Sequence, residues 1–182
     1  LSKALASLGH DVFVITSTGQ VYFNQPFYEK TYGKFLGKPV LEPVRKQIDG
    51  YELIRLRFRS VFGKVVLLGL KNVLQEIKPD IVQTFDPFSF LNIQAIIFKF
   101  SLKYKVFTAN HIMKSVFPLA GYKNGDMLFE RTIFFLTRTL PGKFLNIFIE
   151  MSFPITIDAM DISAKFYSYP LNKLKIIGSI RE

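Results

Sequence analysis

Apolar residues in this chain alternate between two rhythms: helical stripes that end at a turn, and short β-branched runs that follow the turn. Leu1, Leu5 and Leu8 repeat at i, i+4 and i+7 as far as Gly9, a helix stop, and the run DVFVIT (11–16) comes next. VLQEIKPDIVQTF (73–85), FKFSLKYKVFTANH (98–111) and NKLKIIGS (172–179) repeat the same order. Such runs are too apolar to keep one face in water, as expected of parallel strands covered on both sides.

Read in full, the pattern predicts the tail of a helix at 1–8 and a strand at 11–16. A strand at 51–59 and a helix over 62–77 come next, with Phe62, Val66, Leu70, Val73, Leu74 and Ile77 on one helix face. A strand at 80–85, a very apolar helix at 87–103 and a strand at 105–109 follow. The loop 110–125 leads to a helix over 126–139 that Pro141-Gly142 breaks, then a helical piece at 143–150. Strands at 155–158 and 175–177, with a short helix between them, complete the chain. Residues 17–49, rich in Gly and Pro, form a long irregular segment of the kind that is functional or mobile. Strands separated by single helices run parallel through right-handed crossovers. The expected fold class is therefore α/β: one domain over 1–182 with an open, mostly parallel Rossmann-like sheet and helices on both faces. In such sheets the functional residues lie in the loops after the strands' carboxyl ends.

Composition narrows the partners. With 182 residues and no cysteine, the chain is long enough for a core without disulfides, and it carries no thiolate metal site. No Cys/His cluster has metal-ligand spacing, so no metal is expected. The absence of cysteine and of N-x-S/T sequons leans towards a cytoplasmic location. The net charge of +10 favours anionic partners: phosphates, nucleic acid or an anionic membrane. The 20 phenylalanines sit mostly within apolar helical runs rather than beside arginine as stacking platforms, which argues against nucleic acid. The charge-free stretch 87–98 falls short of the roughly 20 residues a membrane span needs, so it can lie on a bilayer but not cross one. Leu1 falls inside a helical stripe and is not methionine, so the chain is expected to be a fragment.

Four groups of residues can carry chemistry. His111 follows the strand KVFTA at a carboxyl-end loop, flanked by Asn110 and Lys114. It can hydrogen-bond a ligand, or be a loop histidine bonded to a backbone carbonyl. Arg55, Arg57 and Arg59 alternate with apolar residues, which puts three guanidiniums on one strand face, either for an anion or for solvent. Asp86-Pro87 can orient a hydroxyl, but the pair suits the N-cap and first position of the next helix better. The stretch 127–148 interleaves Phe129, Phe134, Phe135, Phe144 and Phe148 with Arg131, Arg138 and Lys143, as core or as a helix lying in a membrane interface.

Several segments, in order, resemble the first domain of retaining, two-domain glycosyltransferases of the GT-B type, in particular glycosyltransferase family 4. They are LSKALASLGHDVFVIT (1–16), GYELIRLRFR (50–59), IKPDIVQTFDPF (77–88), KVFTANHI (105–112), and PITIDAMDISAKFY (154–167) continuing to KLKIIGS (173–179). The chain departs from the family at Phe85, where a histidine is usual, at Asp158 to Asp161, where a serine is usual, and at its IIGSIRE end, which lacks an Asn-Gly turn. The resemblance implies the acceptor-binding half of a hexosyltransferase, lacking its first strand and Gly-rich loop and its second, donor-binding domain, and inactive on its own. It implies His111 as the catalytic residue facing the interdomain cleft. Asn110, Lys114, Asp86, Arg55 and Arg57 are the candidate substrate-binding residues that the residue pattern adds to it. The implied partners are a nucleotide-sugar co-substrate held mainly by the second domain, with no other cofactor, and a glycan or lipid-linked acceptor. The implied location is cytoplasmic, peripheral on an anionic membrane. The reading of a different class is a non-catalytic Rossmann-like module that binds an anionic ligand or partner.

Overall fold

A computed structural model describes residues 1–61, 64–87, 89–112, 132 and 135–177, with Thr137 and Arg138 described by their backbone alone. The protein is α/β and divides into two compact units, Leu1–Val73 and Leu74–Glu182.

The first unit opens with helix α1 (Ser2–Ser7) and strand β1 (Phe13–Ser17), which is half-buried along its whole length. Strand β3 (Tyr51–Leu56) pairs parallel with β1, from Phe13↔Glu52 to Ser17↔Leu56. Strand β2 (Val44–Ile48) lies antiparallel on the other side of β3, so the sheet is mixed, in the order β1-β3-β2. The segment expected to be irregular over 17–49 therefore carries a short helix, α2 (Lys34–Leu36), and ends in a strand. Its turn explains why. The pair Ile48↔Tyr51 leaves Asp49 and Gly50 as the loop, at φ 45° and 87°, the two positive dihedrals of a type I′ hairpin.

The helix expected over 62–77 is replaced in its first half by a strand. Strands β4 (Phe58–Val61) and β5 (Lys64–Leu67) form an antiparallel pair, and helix α3 is confined to Leu70–Ile77. Val65 and Val66 are β-branched, and Gly69 at φ 79° stops any helix from passing through it. Phe62 lies outside the described residues. The strand expected over 51–59 breaks at Arg57, where Leu68 N donates to the Arg57 carbonyl at 2.8 Å, and its two parts belong to different sheets.

The second unit holds a parallel three-stranded sheet in sequence order: β6 (Ile81–Phe85), β7 (Lys105–Asn110) and β8 (Met151–Pro154). Helix α4 (Phe90–Leu102) connects β6 to β7. A π-turn at Phe135–Thr139, helix α5 (Leu140–Leu145) and a 3₁₀ turn at Asn146–Phe148 lead into β8, and helix α6 (Ile157–Phe166) follows it. Pro141 does not break this helical run. It sits in the first turn of α5, where a missing N–H costs nothing. The strand expected at 155–158 lies four residues earlier, because Thr156 starts α6 by accepting from Ala159 N at 3.1 Å. Beyond α6, an isolated parallel bridge Ser152↔Leu174 and the bond from Lys175 N to Ser152 O (3.1 Å) lay the chain beside β8 without forming a strand.

Strand pairing among the described residues thus gives three separate sheets in place of the single parallel sheet expected. In β6 to β8 the buried face carries Thr84, Val106, Thr108, Asn110 and Ser152. The opposite face leaves Ile81 and Phe85 exposed, so these apolar runs are not covered on both sides. Among the described residues no helix is long and apolar enough to cross a membrane.

Lysine and tyrosine heads close this unit's backbone. Lys173 Nζ donates to the carbonyls of Asn146, Ile147 and Ile149 at 2.9, 3.3 and 2.7 Å, which satisfies a helix end that has no successor turn. Tyr104 is buried and donates to Ala95 O at 2.6 Å. Burial pushes its phenol up to about 12 from 10.0, and raises Tyr169 as well. A folded-state pKa above the unfolded one stabilises the fold below pH 10, and that contribution is lost as pH rises from 10 through 12. Absorbance at 295 nm should show Tyr104 and Tyr169 ionising only as circular dichroism is lost, assigned by Tyr104→Phe and Tyr169→Phe variants. Reversible ionisation of both near pH 10 in a folded chain would contradict their burial.

Candidate functional site

Because β6, β7 and β8 run parallel, the residues that follow them come to one edge of the sheet: Asp86, His111 and Ile155. Asp86 N donates to Ala109 O at 3.0 Å, and Asp86 takes a left-handed φ of 66°, which turns the chain sharply off the sheet. His111 is exposed, and its ring meets Phe85 edge-on at 5.5 Å and 86°. Phe85, which in the sequence marks a departure from the resembled pattern, packs directly against the candidate histidine.

Two helix N-termini open at the same edge. Ser89, not Asp86, caps α4. Its hydroxyl accepts from Asn92 N at 3.1 Å and donates to Asp86 O at 2.9 Å. The expectation that Asp86-Pro87 starts the helix fails because the left-handed turn at Asp86 delays the helix by three residues. Ser89 stands three residues before Asn92, the spacing of an N-cap and its third helical position, and that signal could have found it. Thr156 caps α6 in the same way. The aligned peptides of each helix leave partial positive charge at this edge.

Asn110 behaves differently from a ligand-binding side chain. It is fully buried. Its Nδ2 donates to Ser163 Oγ at 2.8 Å and to Ala159 O at 3.3 Å, both on α6, and its Oδ1 accepts from Ile112 N at 3.0 Å. Its amide is committed inside the protein, where it fixes the residues on either side of His111. Tyr169 is also buried, beside Asp86. Its hydroxyl makes no hydrogen bond among the described residues, and burial first, then the Asp86 charge, raise its pKa.

The other sequence candidates belong to the first unit or lie outside the described residues. Lys114 lies outside the described residues. Arg55 and Arg57 belong to the first unit. Arg55 is half-buried at the end of β3, between Thr16 and Val44, and Arg57 is exposed at the break before β4. Arg59 sits on β4 opposite Val66, so the three arginines do not share one continuous strand face. Most of the aromatic stretch 127–134 lies outside the described residues. Farther along, Leu136, Leu140, Phe144 and Ile147 recur at spacings of four, four and three, and all are exposed.

The second unit's cleft of about 620 Å³ lies at the opposite, amino edge of the sheet, lined in part by Lys78, Asp80, Lys103 and Lys105. Lys78 and Lys103 follow the last turns of α3 and α4 with φ 46° and 61°, where ammonium groups compensate the negative helix ends. Among the described residues no group of three or more His, Cys, Asp or Glu can hold a metal. The chain matches no protein-family model, and none of the curated proteins matches it.

Asn110→Ala strands the Ile112 N–H and opens a small void, so it should destabilise the fold by about 1–3 kcal/mol in urea unfolding. Paired with Ser163→Ala in a double-mutant cycle, it should show positive coupling. A loss below about 0.5 kcal/mol would mean that the amide does not hold this edge together.

Proposed function

We propose that this chain is the acceptor-binding half of a retaining glycosyltransferase of the GT-B type, moving a hexose from a nucleotide-sugar to a glycan or lipid-linked acceptor. The observation that carries the reading is the meeting of His111, Asp86 and two capped helix N-termini at one carboxyl edge of a parallel sheet. Sugar transfer from a nucleoside diphosphate needs an oriented hydroxyl nucleophile and neutralisation of the charge on the leaving group. In this reading His111 hydrogen-bonds the acceptor or the transferred sugar, Asp86 orients the attacking hydroxyl, and the helix ends oppose the diphosphate charge. The donor is held mainly by a second domain of the family's kind, and no further cofactor takes part.

The exposed apolar stripe Leu136, Leu140, Phe144 and Ile147, with Lys143 beside it, supports peripheral contact with an anionic membrane on the cytoplasmic side, where lipid-linked acceptors are reached. The same helix ends also suit a non-catalytic module that binds an anion with no chemistry following.

In the protein as its own cell expresses it, His111→Ala should lower hexose transfer from nucleotide-diphosphate donors by about a hundredfold or more. Thermal unfolding should hardly change, because His111 is exposed. Transfer unaffected by the substitution would remove His111 from the chemistry. Nucleotide-sugar binding without any turnover in the parent protein would favour the binding module.

A further inference from the structure

Residues 19–40 form a closed excursion from the first unit with an apolar exterior. Its base is tied by the antiparallel bridge Gly19↔Val40, by Gln20 N to Pro39 O (2.9 Å) and by Leu41 N to Thr18 O (2.8 Å). At that base Gly19 lies against the ring of Phe58, where a β-carbon would come within 2.8 Å, so the loop is seated close against the unit. The excursion packs on itself around Tyr28. Tyr28 is buried, and the Tyr32 ring stacks on Tyr22 at 5.1 Å and lies 6.1 Å from Tyr28. A loop that packs on itself in this way has no folding need to leave large apolar groups outside.

Yet it does. Phe35 is 85% exposed, the most exposed large hydrophobic among the described residues, and Val21, Phe27 and Leu36 are exposed too. They are interleaved with exposed Lys30, Lys34 and Lys38, against the single acid Glu29. The sequence Lys34-Phe35-Leu36-Gly37-Lys38 brackets the most exposed ring and its neighbour between two ammonium groups. The core of a protein–protein interface excludes lysine. A bilayer interface accommodates both: ammonium groups rise to the phosphates while the apolar groups settle below them.

We propose that this excursion docks on the surface of an anionic lipid bilayer, with Phe35 and Leu36 entering the headgroup–acyl boundary and Lys30, Lys34 and Lys38 meeting lipid phosphates. The docking does not depend on sugar transfer, nor on the helical stripe that ends at Ile147. The chain has no tryptophan, so Phe35→Trp places a sole reporter at the exposed ring. The full chain carrying it is mixed with vesicles of equal parts phosphatidylglycerol and phosphatidylcholine, and with vesicles of phosphatidylcholine alone.

The expected result is a blue shift of emission with the anionic vesicles, quenched by bromine-labelled acyl chains and reversed by high salt. Co-sedimentation should weaken about tenfold in Phe35→Ser, and about thirtyfold in the Lys34→Ala, Lys38→Ala double variant. Circular dichroism should match the parent, since these side chains are exposed. Sedimentation that leaves the Phe35→Trp emission unchanged would overturn the proposal. So would a loss of binding in Phe144→Asp with none in Phe35→Ser, or no binding to anionic vesicles at all.

Discussion

The carboxyl edge of the parallel sheet depends on one buried amide. Asn110 ends β7, and its side chain reaches α6 through Ser163 and Ala159 while holding the Ile112 N–H on the other side. A buried polar group left unpaired costs about 1–3 kcal/mol, a sizeable share of a domain's net stability, and this one is held by three partners. The geometry follows from that. His111 lies between the two anchored residues, and a strand, a helix and a loop start are fixed relative to one another by a single side chain. Charge and hydroxyl groups elsewhere at the edge, Asp86 and Ser89 among them, are arranged by backbone turns that lean on β7.

Both units keep apolar surface in water. In the sheet of the second unit, Ile81 and Phe85 stay exposed on the face opposite Asn110. In the first unit, the excursion over 19–40 shows Phe35 outward although it buries Tyr28. Isolated exposed apolar residues are ordinary on protein surfaces. An aromatic ring this exposed and bracketed by lysines on a well-tied loop is not, and the net charge of +10 gives such a surface long-range attraction for anionic partners.

Where local pattern decides structure, the sequence was readable. The runs IVQTF and KVFTA are β-branched and bounded by turns, and they became β6 and β7, parallel as the intervening helix required. Where two periods fit the same residues, it was not. Val66 and Leu70 satisfy a helical stripe as well as a strand followed by a helix, and only the left-handed Gly69 separates the two outcomes. Strand β2 carries too few apolar residues to announce itself, although the Asp49-Gly50 turn did mark a hairpin. Of the candidate site, the sequence pattern carried the shared edge: the loops after β6 and β7 do come together where parallel strands end. It did not carry the role of Asn110, whose partners on α6, 49 and 53 residues away, leave no trace in local sequence.

The dependence of this edge on the Asn110 amide is open to a direct measurement, hydrogen exchange followed residue by residue by nuclear magnetic resonance. The Ile112 N–H has its acceptor in a side chain rather than in a strand. If Asn110 fixes the loop that carries His111, the Ile112 amide should exchange as slowly as those of Val106 and Thr108 within β7, and the side-chain amide of Asn110 should be protected as well. Exchange of the Ile112 amide at the rate of an unstructured peptide, with β7 still protected, would contradict the account.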